Sequence, residues 1–264
     1  MQIMKNLLKE KIERGEMTVG TFLELGNGDS AEALSMSAMD YFIIDTEHGP
    51  FDVESSANAI RAAQLRGKTP LVRVKDSTRA SILKMLDVGA GGLIIPQVHS
   101  IEEVKRIVEY GKYYPLGRRG VGFGRACGFG YDNFVTGDLQ EYFDYCNRET
   151  LLIPQCETWE CLDDIENIIR VEGIDGIFIG PYDLSVAMGI PAQFESETFK
   201  TAIERIQKAV QDAGKFIIMY SSNVEIAIQN MHKGFVQSAT VGMDFNWFIE
   251  GATQITMKLK NHAG

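Results

Sequence analysis

The sequence has little basic charge and no long apolar run, and both absences limit what the protein can bind. Its 264 residues carry 26 lysines and arginines against 36 aspartates and glutamates, a formal net charge of −10, and no segment concentrates the basic residues. We therefore expect no nucleic-acid partner and no anionic-membrane partner. No run approaches the roughly 18 apolar residues of a membrane-spanning helix, and the first ten residues lack the apolar stretch of a signal peptide. The expected location is cytoplasmic.

Cysteine is also scarce, and its spacing excludes a disulfide framework or a zinc finger. The cysteines are Cys127, Cys146, Cys156 and Cys161. None forms a C-x-x-C pair and no Cys/His cluster has zinc-finger spacing, so we expect reduced thiols. The glycine-rich stretch 120–124 is not a dinucleotide-binding fingerprint either, because no apolar strand precedes it and its spacing differs from G-x-G-x-x-G. It is interpreted as a flexible or close-packed loop near the active site.

Short apolar runs alternate with amphipathic stretches along the whole chain. The predicted strands are 18–25, 41–47, 70–75, 92–98, 151–157, 175–180, 216–221 and 235–241. Helical patterns lie between them, including 52–66, 158–171, 197–213, 223–233 and 245–260. Eight strand–helix repeats in a chain of this length predict one (β/α)8 TIM barrel over residues 1–264, with strands buried on both faces.

One connection interrupts this rhythm. Residues 114–137 contain Pro115 and many glycines, and a short helical stretch at 139–147 follows before the fifth strand. Long irregular connections inside a compact domain are usually functional or mobile. The sequence does not decide which mouth of the barrel this segment covers.

Two predicted strands end on carboxylates. Glu157 closes the fifth strand, with Gln155 on the same face and Cys156 on the other, and Asp183 follows the sixth strand after a turn. The carboxyl ends of parallel strands meet at one edge, so the two acids can converge on a hard divalent cation. The alternative is that each acid caps the helix that follows it.

Further candidates lie at the ends of the second, third and fourth strands. His48 directly follows Asp45 and Glu47 at the end of the second strand and suits a general base. The alternative is that it is a hydrogen-bonded turn residue. His99 is a weaker candidate, and His232 is interpreted as structural. Arg73 lies inside a buried strand and needs an anion, either a substrate carboxylate or a structural partner. Lys75 is a weak candidate for a Schiff-base lysine. Asp87 suits a cap or an acid that orients the base.

Longer motifs carry a resemblance to one family. The chain resembles the HpcH/HpaI family of class II, metal-dependent aldolases nearly end to end, similar to enzymes of hydroxy-oxo diacids and 2-keto-3-deoxy sugar acids. The motifs that carry the resemblance are 20–24, 44–50, 72–73, 86–89, 94–97, 117–122, 155–158 and 171–185. The resemblance implies a modified TIM barrel of the pyruvate type, assembled as a hexamer (a trimer of dimers) whose last helix is exchanged between subunits.

The same resemblance assigns roles to residues of this chain. Glu157 and Asp183 would bind Mg²⁺, Mn²⁺ or Co²⁺, and His48 paired with Asp87 would be the catalytic base. Asp45 and Glu47 match positions near the site. Arg73 would also be catalytic, because it would offset the negative charge of the enolate. The positions that match the family's substrate-binding residues are Arg73, Gln155, Gly180, Pro181 and Tyr182.

The implied reaction joins pyruvate to an aldehyde or splits a 4-hydroxy-2-oxo acid into the two. Tyr182 stands where the family often has a small residue, and the 122–130 loop is shorter and richer in glycine than in the best-known members. These departures leave the aldehyde open. The alternatives are a related enzyme that joins an acyl-CoA to an oxo acid, and a barrel that binds metabolites without catalysis.

Overall fold

Eight parallel strands close into a barrel in the described part of the chain. The structure is a computed structural model that describes residues 5–132, 135, 137–234 and 236–262. The strands are β1 (Thr18–Leu23), β2 (Tyr41–Asp45), β3 (Thr69–Arg73), β4 (Gly92–Ile95), β5 (Leu151–Cys156), β6 (Gly176–Ile179), β7 (Phe216–Ser221) and β8 (Ser238–Met243). Each strand pairs with the next along the chain and β8 pairs with β1, which confirms the predicted TIM barrel.

Most strands end earlier than the sequence pattern predicts. Residues 46–47, 96–98 and Glu157 leave the ladder and turn into the loops above the barrel. The eighth strand begins later than predicted, and the predicted start at Phe235 lies outside the described residues. The apolar runs therefore predict the buried strands well, while the polar residues that follow each run belong to the carboxyl-terminal loops.

Helices connect the strands on the outside of the barrel. They are α1 (Leu7–Glu13), α2 (Gly28–Ser35), α3 (Val53–Leu65), α4 (Arg79–Asp87), α5 (Ile101–Gly111), α6 (Leu139–Glu149), α7 (Trp159–Asp163), α8 (Ile165–Ile168), α9 (Pro181–Ala187), α10 (Glu197–Asp212), α11 (Val224–His232) and α12 (Asp244–His262). The stretch predicted as one helix at 158–171 is thus two short helices. The short helices α1 and α9 were not predicted from the apolar periodicity. No helix in the described ranges is long and apolar enough to cross a membrane.

The core has two layers, one inside the barrel and one between the barrel and the helices. Successive residues of each strand point alternately into these two layers, and this alternation positions the site. Ile43, Leu71 and Ile153 point into the barrel, while Val72 and Cys156 point outward against the helices. The next inward positions after the three interior residues are Asp45, Arg73 and Gln155. The upper end of the barrel interior is therefore polar, and its lower part is apolar.

The glycine-rich connection lies at the amino-terminal mouth of the barrel, opposite to these polar residues. Helix α5 returns the chain to that mouth before the connection begins, and Arg125 of the 3₁₀ segment Arg125–Gly130 donates hydrogen bonds to Val88 O (2.9 Å) and Gln64 Oε1 (2.6 Å) near the ends of α4 and α3. The expectation that residues 120–130 lie near the active site is therefore wrong within one chain. Residues 133, 134 and 136 of the predicted 114–137 excursion lie outside the described residues.

Candidate active site

A cavity of about 320 Å³ occupies the carboxyl-terminal mouth of the barrel. Its lining residues are Phe22, His48, Arg73, Gln155, Phe178, Gly180, Pro181, Tyr182, Asp183, Tyr220 and Met243. Seven of these were predicted from the sequence as site residues. The structure therefore brings together strand ends that are more than 100 residues apart in the chain, because a closed parallel barrel points all of them at one opening.

Arg73 is held by a buried ion pair with Asp45. Arg73 Nε lies 2.9 Å from Asp45 Oδ1 and Nη2 lies 2.6 Å from Oδ2, a bidentate contact in which the Asp45 side chain is fully buried. The Arg73 guanidinium also lies over the Phe22 ring, 4.6 Å from its centroid. Although burial alone would raise it, the hydrogen bonds from Arg73 hold the pKa of Asp45 below its usual value. Arg73 thus has a structural anion partner, as one of the two alternatives predicted. The N–H groups of Arg73 that do not bond to Asp45 remain available at the cavity.

Glu47 is the carboxylate that the structure places beside both Arg73 and His48. Its Oε2 lies 3.3 Å from Arg73 Nε and 4.0 Å from His48 Nε2. Burial raises the pKa of Glu47 to about 7, and the negative charge of Glu157 adds to the rise, while Arg73 opposes it. His48 itself has a side chain 68% exposed at the cavity wall, where a substrate can reach its ring.

Glu157 is buried, with only 3% of its surface exposed, and both of its carboxylate oxygens accept hydrogen bonds. Gln97 donates to Oε1 through its backbone N–H (2.8 Å) and its side-chain Nε2 (3.1 Å), and Gln155 Nε2 donates to Oε2. Burial raises the pKa of Glu157, the Gln97 N–H opposes this, and the negative charge of Asp183 raises it further. Neutral donors orient this carboxylate but do not neutralise its charge.

The helix-capping alternative for the two acids is wrong. The N-cap of α7 is Thr158, whose hydroxyl accepts from Cys161 N at 3.1 Å, and the N-cap of α9 is Gly180. Asp183 lies one turn further on, exposed at the cavity, and Glu157 precedes the cap of its helix. Both acids are thus free of the local backbone role that competes with ligand binding.

Two details of the surroundings fit a divalent cation. Gln155 Oε1 is buried without a hydrogen-bond partner among the described residues, beside the Glu157 carboxylate. A Cβ atom at Gly180 would lie 3.0 Å from Glu157 Oε2 and 2.8 Å from Gln155 Nε2, so only glycine leaves this space open. No cluster of three or more His, Cys, Asp or Glu side chains arranged for a metal ion occurs within the described ranges. Two carboxylates and an amide oxygen, completed by water and substrate, remain a suitable donor set for Mg²⁺ or Mn²⁺.

The predicted pairing of His48 with Asp87 is not formed within the chain. Asp87 is the last residue of α4, at the amino-terminal mouth, whereas His48 follows β2 at the opposite mouth. Asp87 Oδ1 instead accepts a hydrogen bond from Arg119 Nη2 at 3.0 Å. The sequence placed Asp87 before the fourth strand, but a barrel helix carries its last residue away from the catalytic edge.

Three polar residues at this mouth were missed by the sequence reasoning. Gln97 adopts a positive φ of 52°, and its N–H donates to Glu157. Its sequence signals are its place directly after Pro96 at a strand end and within the 94–97 motif. Asp244 begins α12 and accepts from Glu24 N (2.9 Å) and Leu25 N (3.1 Å), which fixes the end of β1. Burial raises the pKa of Glu24, which lies near Asp45.

Several weaker candidates lie away from this cavity. Lys75 is exposed and does not line it, so the Schiff-base alternative gains no support. His99 Nδ1 lies 3.4 Å from Glu160 Oε2 at an exposed position, and His232 ends α11 on the outside of the barrel.

Comparisons with known proteins identify relatives of the whole chain and of its fold. The model of the HpcH/HpaI aldolase/citrate lyase family matches residues 18–250. The chain is 32% identical to a 4-hydroxy-2-oxo-heptane-1,7-dioate aldolase of Salmonella typhimurium over 97% of this chain and 95% of the relative, and 30% identical to a hydroxypyruvate/pyruvate aldolase of Roseobacter denitrificans over 97% of both. Its fold matches the crystal structure of the citrate synthase SbnG with a TM-score of 0.84 and 29% identity, covering 99% of this chain and 100% of that one.

Replacement of Asp45 by Asn tests the buried ion pair. Because Asp45→Asn removes the bidentate partner of the buried Arg73 guanidinium and leaves only the single contact with Glu47, we expect the free energy of unfolding to fall by about 3 kcal/mol in chemical denaturation. The matched control is Glu166→Gln, which removes a surface pair with Arg205 (2.7 Å) and is expected to cost less than about 1 kcal/mol. Equal losses in the two variants would show that the Asp45–Arg73 pair is not a buried constraint.

The raised pKa of Glu47 predicts a pH-dependent stability in metal-free protein. Its folded-state pKa of about 7 lies above the usual 4.5, so the folded state holds the proton more tightly and loses stability as the pH rises from 4.5 through 7. Glu47→Gln cannot ionise, so its stability relative to wild type should increase over this range by up to about 3 kcal/mol. The measurement is urea denaturation in EDTA at several pH values, with Glu54→Gln on the exposed face of α3 as the control for charge loss. A difference that stays constant with pH would contradict the raised pKa.

Proposed function

The chain belongs to the HpcH/HpaI aldolase/citrate lyase family, a family of carbon–carbon lyases, and on that basis we propose that it is a divalent-metal-dependent aldolase of 4-hydroxy-2-oxo acids. In the cleavage direction it yields pyruvate and an aldehyde. The observation that carries the proposal is the buried Glu157, whose carboxylate accepts hydrogen bonds from neutral donors, with Asp183 nearby and the unpartnered Gln155 Oε1 beside it. A cation is the simplest partner for such a set of oxygen donors.

Glu157 and Asp183 would hold Mg²⁺, Mn²⁺ or Co²⁺. A bound cation would stabilise the negative charge that develops on the keto oxygen of the substrate during C–C cleavage. The chain's own groups supply the orientation. The N–H groups of Arg73 that Asp45 does not use face the cavity and suit a substrate carboxylate, while Gly180 leaves room for the oxo-acid end to approach Gln155.

His48 is the proposed base. In cleavage, its imidazole takes the proton from the 4-hydroxyl group as the C3–C4 bond breaks and the bonding electrons move to the pyruvate fragment. The same group, or a water molecule, then returns a proton to C3 of pyruvate. Glu47, whose Oε2 lies 4.0 Å from His48 Nε2, is the carboxylate that would orient this ring within one chain, in place of the predicted Asp87.

The proposed assembly is a homo-oligomer in which α12 packs on a neighbouring subunit. Five apolar residues of this helix are more than half exposed, a large apolar surface for one helix. They are Phe248, Ile249, Ile255, Met257 and Leu259. This exposure supports the predicted exchange of the last helix and the predicted hexamer, which size measurement in solution would test.

A second candidate function is the joining of an acyl-CoA to an oxo acid. It is favoured by the full-length structural similarity to the citrate synthase SbnG at 29% identity. The two functions would share the part of the site that binds the oxo acid and the cation. They would differ in the second substrate, which is an aldehyde in one case and an acyl-CoA in the other. Release of free CoA thiol from acetyl-CoA and oxaloacetate separates this candidate from aldol cleavage.

Metal removal tests the aldolase proposal. We expect pyruvate release from 4-hydroxy-2-oxopentanoate, followed with lactate dehydrogenase, to fall more than about 100-fold after EDTA treatment and to return with added Mg²⁺ or Mn²⁺. Glu157→Gln should lose a similar factor and not regain it, because one ligand charge is gone. Glu160→Gln, an exposed carboxylate three residues away on α7, is the matched control and should retain activity.

Activity that persists after thorough metal removal, or in Glu157→Gln, would overturn the metal-dependent mechanism. Faster release of CoA thiol than of pyruvate would replace the aldolase by the second candidate.

A further inference from the structure

A second cavity, about 510 Å³ in volume, adjoins the candidate active site. It lies between α10 and α11, above the end of β7, and it has Pro181, Tyr182 and Tyr220 in common with the first cavity. Asp183, a proposed metal ligand, directly follows Tyr182 in the chain. The second cavity is therefore separated from the proposed reaction centre by little more than one aromatic side chain.

The floor of the second cavity is apolar. Phe199, Ile203 and Met219 line it and are each buried, and Phe194 packs edge-on against Phe199 with ring centroids 5.4 Å apart. Apolar, concave surfaces of this size are typical of small-molecule sites, because burying an apolar ligand there removes its surface from water.

Tyr182 forms the partition between the two cavities. Its ring meets the Phe194 ring edge-on with centroids 5.0 Å apart, and it is tilted by 58° against the Tyr220 ring at 6.3 Å. The Tyr182 side chain is 46% exposed, so it is not locked into the core. A ligand group that leaves the first cavity past Tyr182 meets aromatic rings and then the apolar floor.

The charged side chains around the second cavity already have partners. Lys200 Nζ lies 3.3 Å from Glu195 Oε2 and 3.7 Å from Glu197 Oε1, and Lys233 is likewise not free. These charged residues lie at the exposed rim, where their ion pairs are weak, and the residues that line the buried end, Phe199, Ile203 and Met219, carry no charge. A terminal carboxylate that reached this end would lose its water without gaining a partner, whereas an uncharged chain would not. The lining thus favours an apolar ligand over a dicarboxylate.

We propose that the second cavity binds the apolar, uncharged chain of the aldehyde, so that the preferred substrates are 4-hydroxy-2-oxo acids with an alkyl or aryl substituent at C4. This inference rests on the proposed aldolase function and adds the substrate class to it. Tyr182 and Phe194 line the path of the chain, and Ile203 and Met219 form its end. Each methylene buried there should raise kcat/KM about fourfold until the cavity is filled.

The test compares aldehydes of increasing length in the synthesis direction, with pyruvate and the Mn²⁺-loaded enzyme. The series is acetaldehyde, butanal and hexanal, and a four-carbon aldehyde with a terminal carboxylate is the charged comparison. We expect kcat/KM to rise at least 10-fold from acetaldehyde to hexanal, and the charged aldehyde to be poorer than butanal.

Two variants that narrow the second cavity without touching the first locate the effect. Ile203→Phe fills the buried end, and Gln229→Trp fills the cavity from an exposed position of α11, where folding tolerates a larger side chain. Both should abolish the gain for hexanal while leaving the KM for pyruvate and the kcat/KM for acetaldehyde unchanged. Ile228→Trp, exposed on the same helix and outside the cavity lining, is the matched control and should retain the chain-length dependence.

Activity with acetaldehyde that does not increase with chain length would overturn the inference and leave the aldolase function standing. A preference for the charged aldehyde, or variants that slow all aldehydes alike, would also overturn it. Absence of product with every aldehyde would overturn the aldolase function itself, and this inference with it.

Discussion

The bidentate ion pair between Arg73 and Asp45 sets the electrostatics of the whole carboxyl-terminal mouth. Both side chains are inward-facing residues at the top of the barrel, where a lone charge would be strongly disfavoured. Because Asp45 neutralises the one guanidinium that the described residues place in this layer, the nearby acids Glu47 and Glu157 lack a full counter-charge. Burial raises the pKa of both, and a nearby negative charge adds to each rise, that of Glu157 for Glu47 and that of Asp183 for Glu157. The mouth therefore holds acids whose charge Arg73 compensates only in part, which suits the proposed divalent cation.

The barrel explains how so few side chains create this environment. Parallel strands buried on both faces leave polar side chains room only at their ends, and eight ends converge on one opening. Gln97 and Gln155 then fix the Glu157 carboxylate without neutralising it. Gly180 keeps the space in front of that carboxylate free of a side chain. Tyr182 and Tyr220 line both this polar centre and the second cavity, so the charged and apolar parts of the proposed substrate would have distinct surroundings.

Much of this architecture could be predicted from the sequence because it depends on local patterns. Apolar runs followed by acids identify the strand ends, and strand alternation already turns Gln155 toward the site and Cys156 away from it. Asp87 was placed at the site by the resemblance alone, whereas the last residue of a helix before a barrel strand lies at the opposite mouth. The 120–130 loop could not be placed from the sequence pattern, because its position depends on where α5 ends. Gln97 was missed because its contribution comes from a positive φ and a backbone N–H, neither of which follows from residue type. The second cavity depends on how α10 and α11 flank β7, which no short motif encodes.

The central claim is that Glu157 and Asp183 together hold a divalent cation at the mouth of the barrel. The most direct measurement is the anomalous scattering of Mn²⁺ in crystals of the protein grown with manganese and pyruvate. The account predicts one strong peak at roughly 2.0–2.3 Å from a carboxylate oxygen of each acid, with pyruvate oxygens completing the coordination. A peak that is absent from this mouth, or one that lies against other residues while pyruvate occupies the cavity, would contradict it.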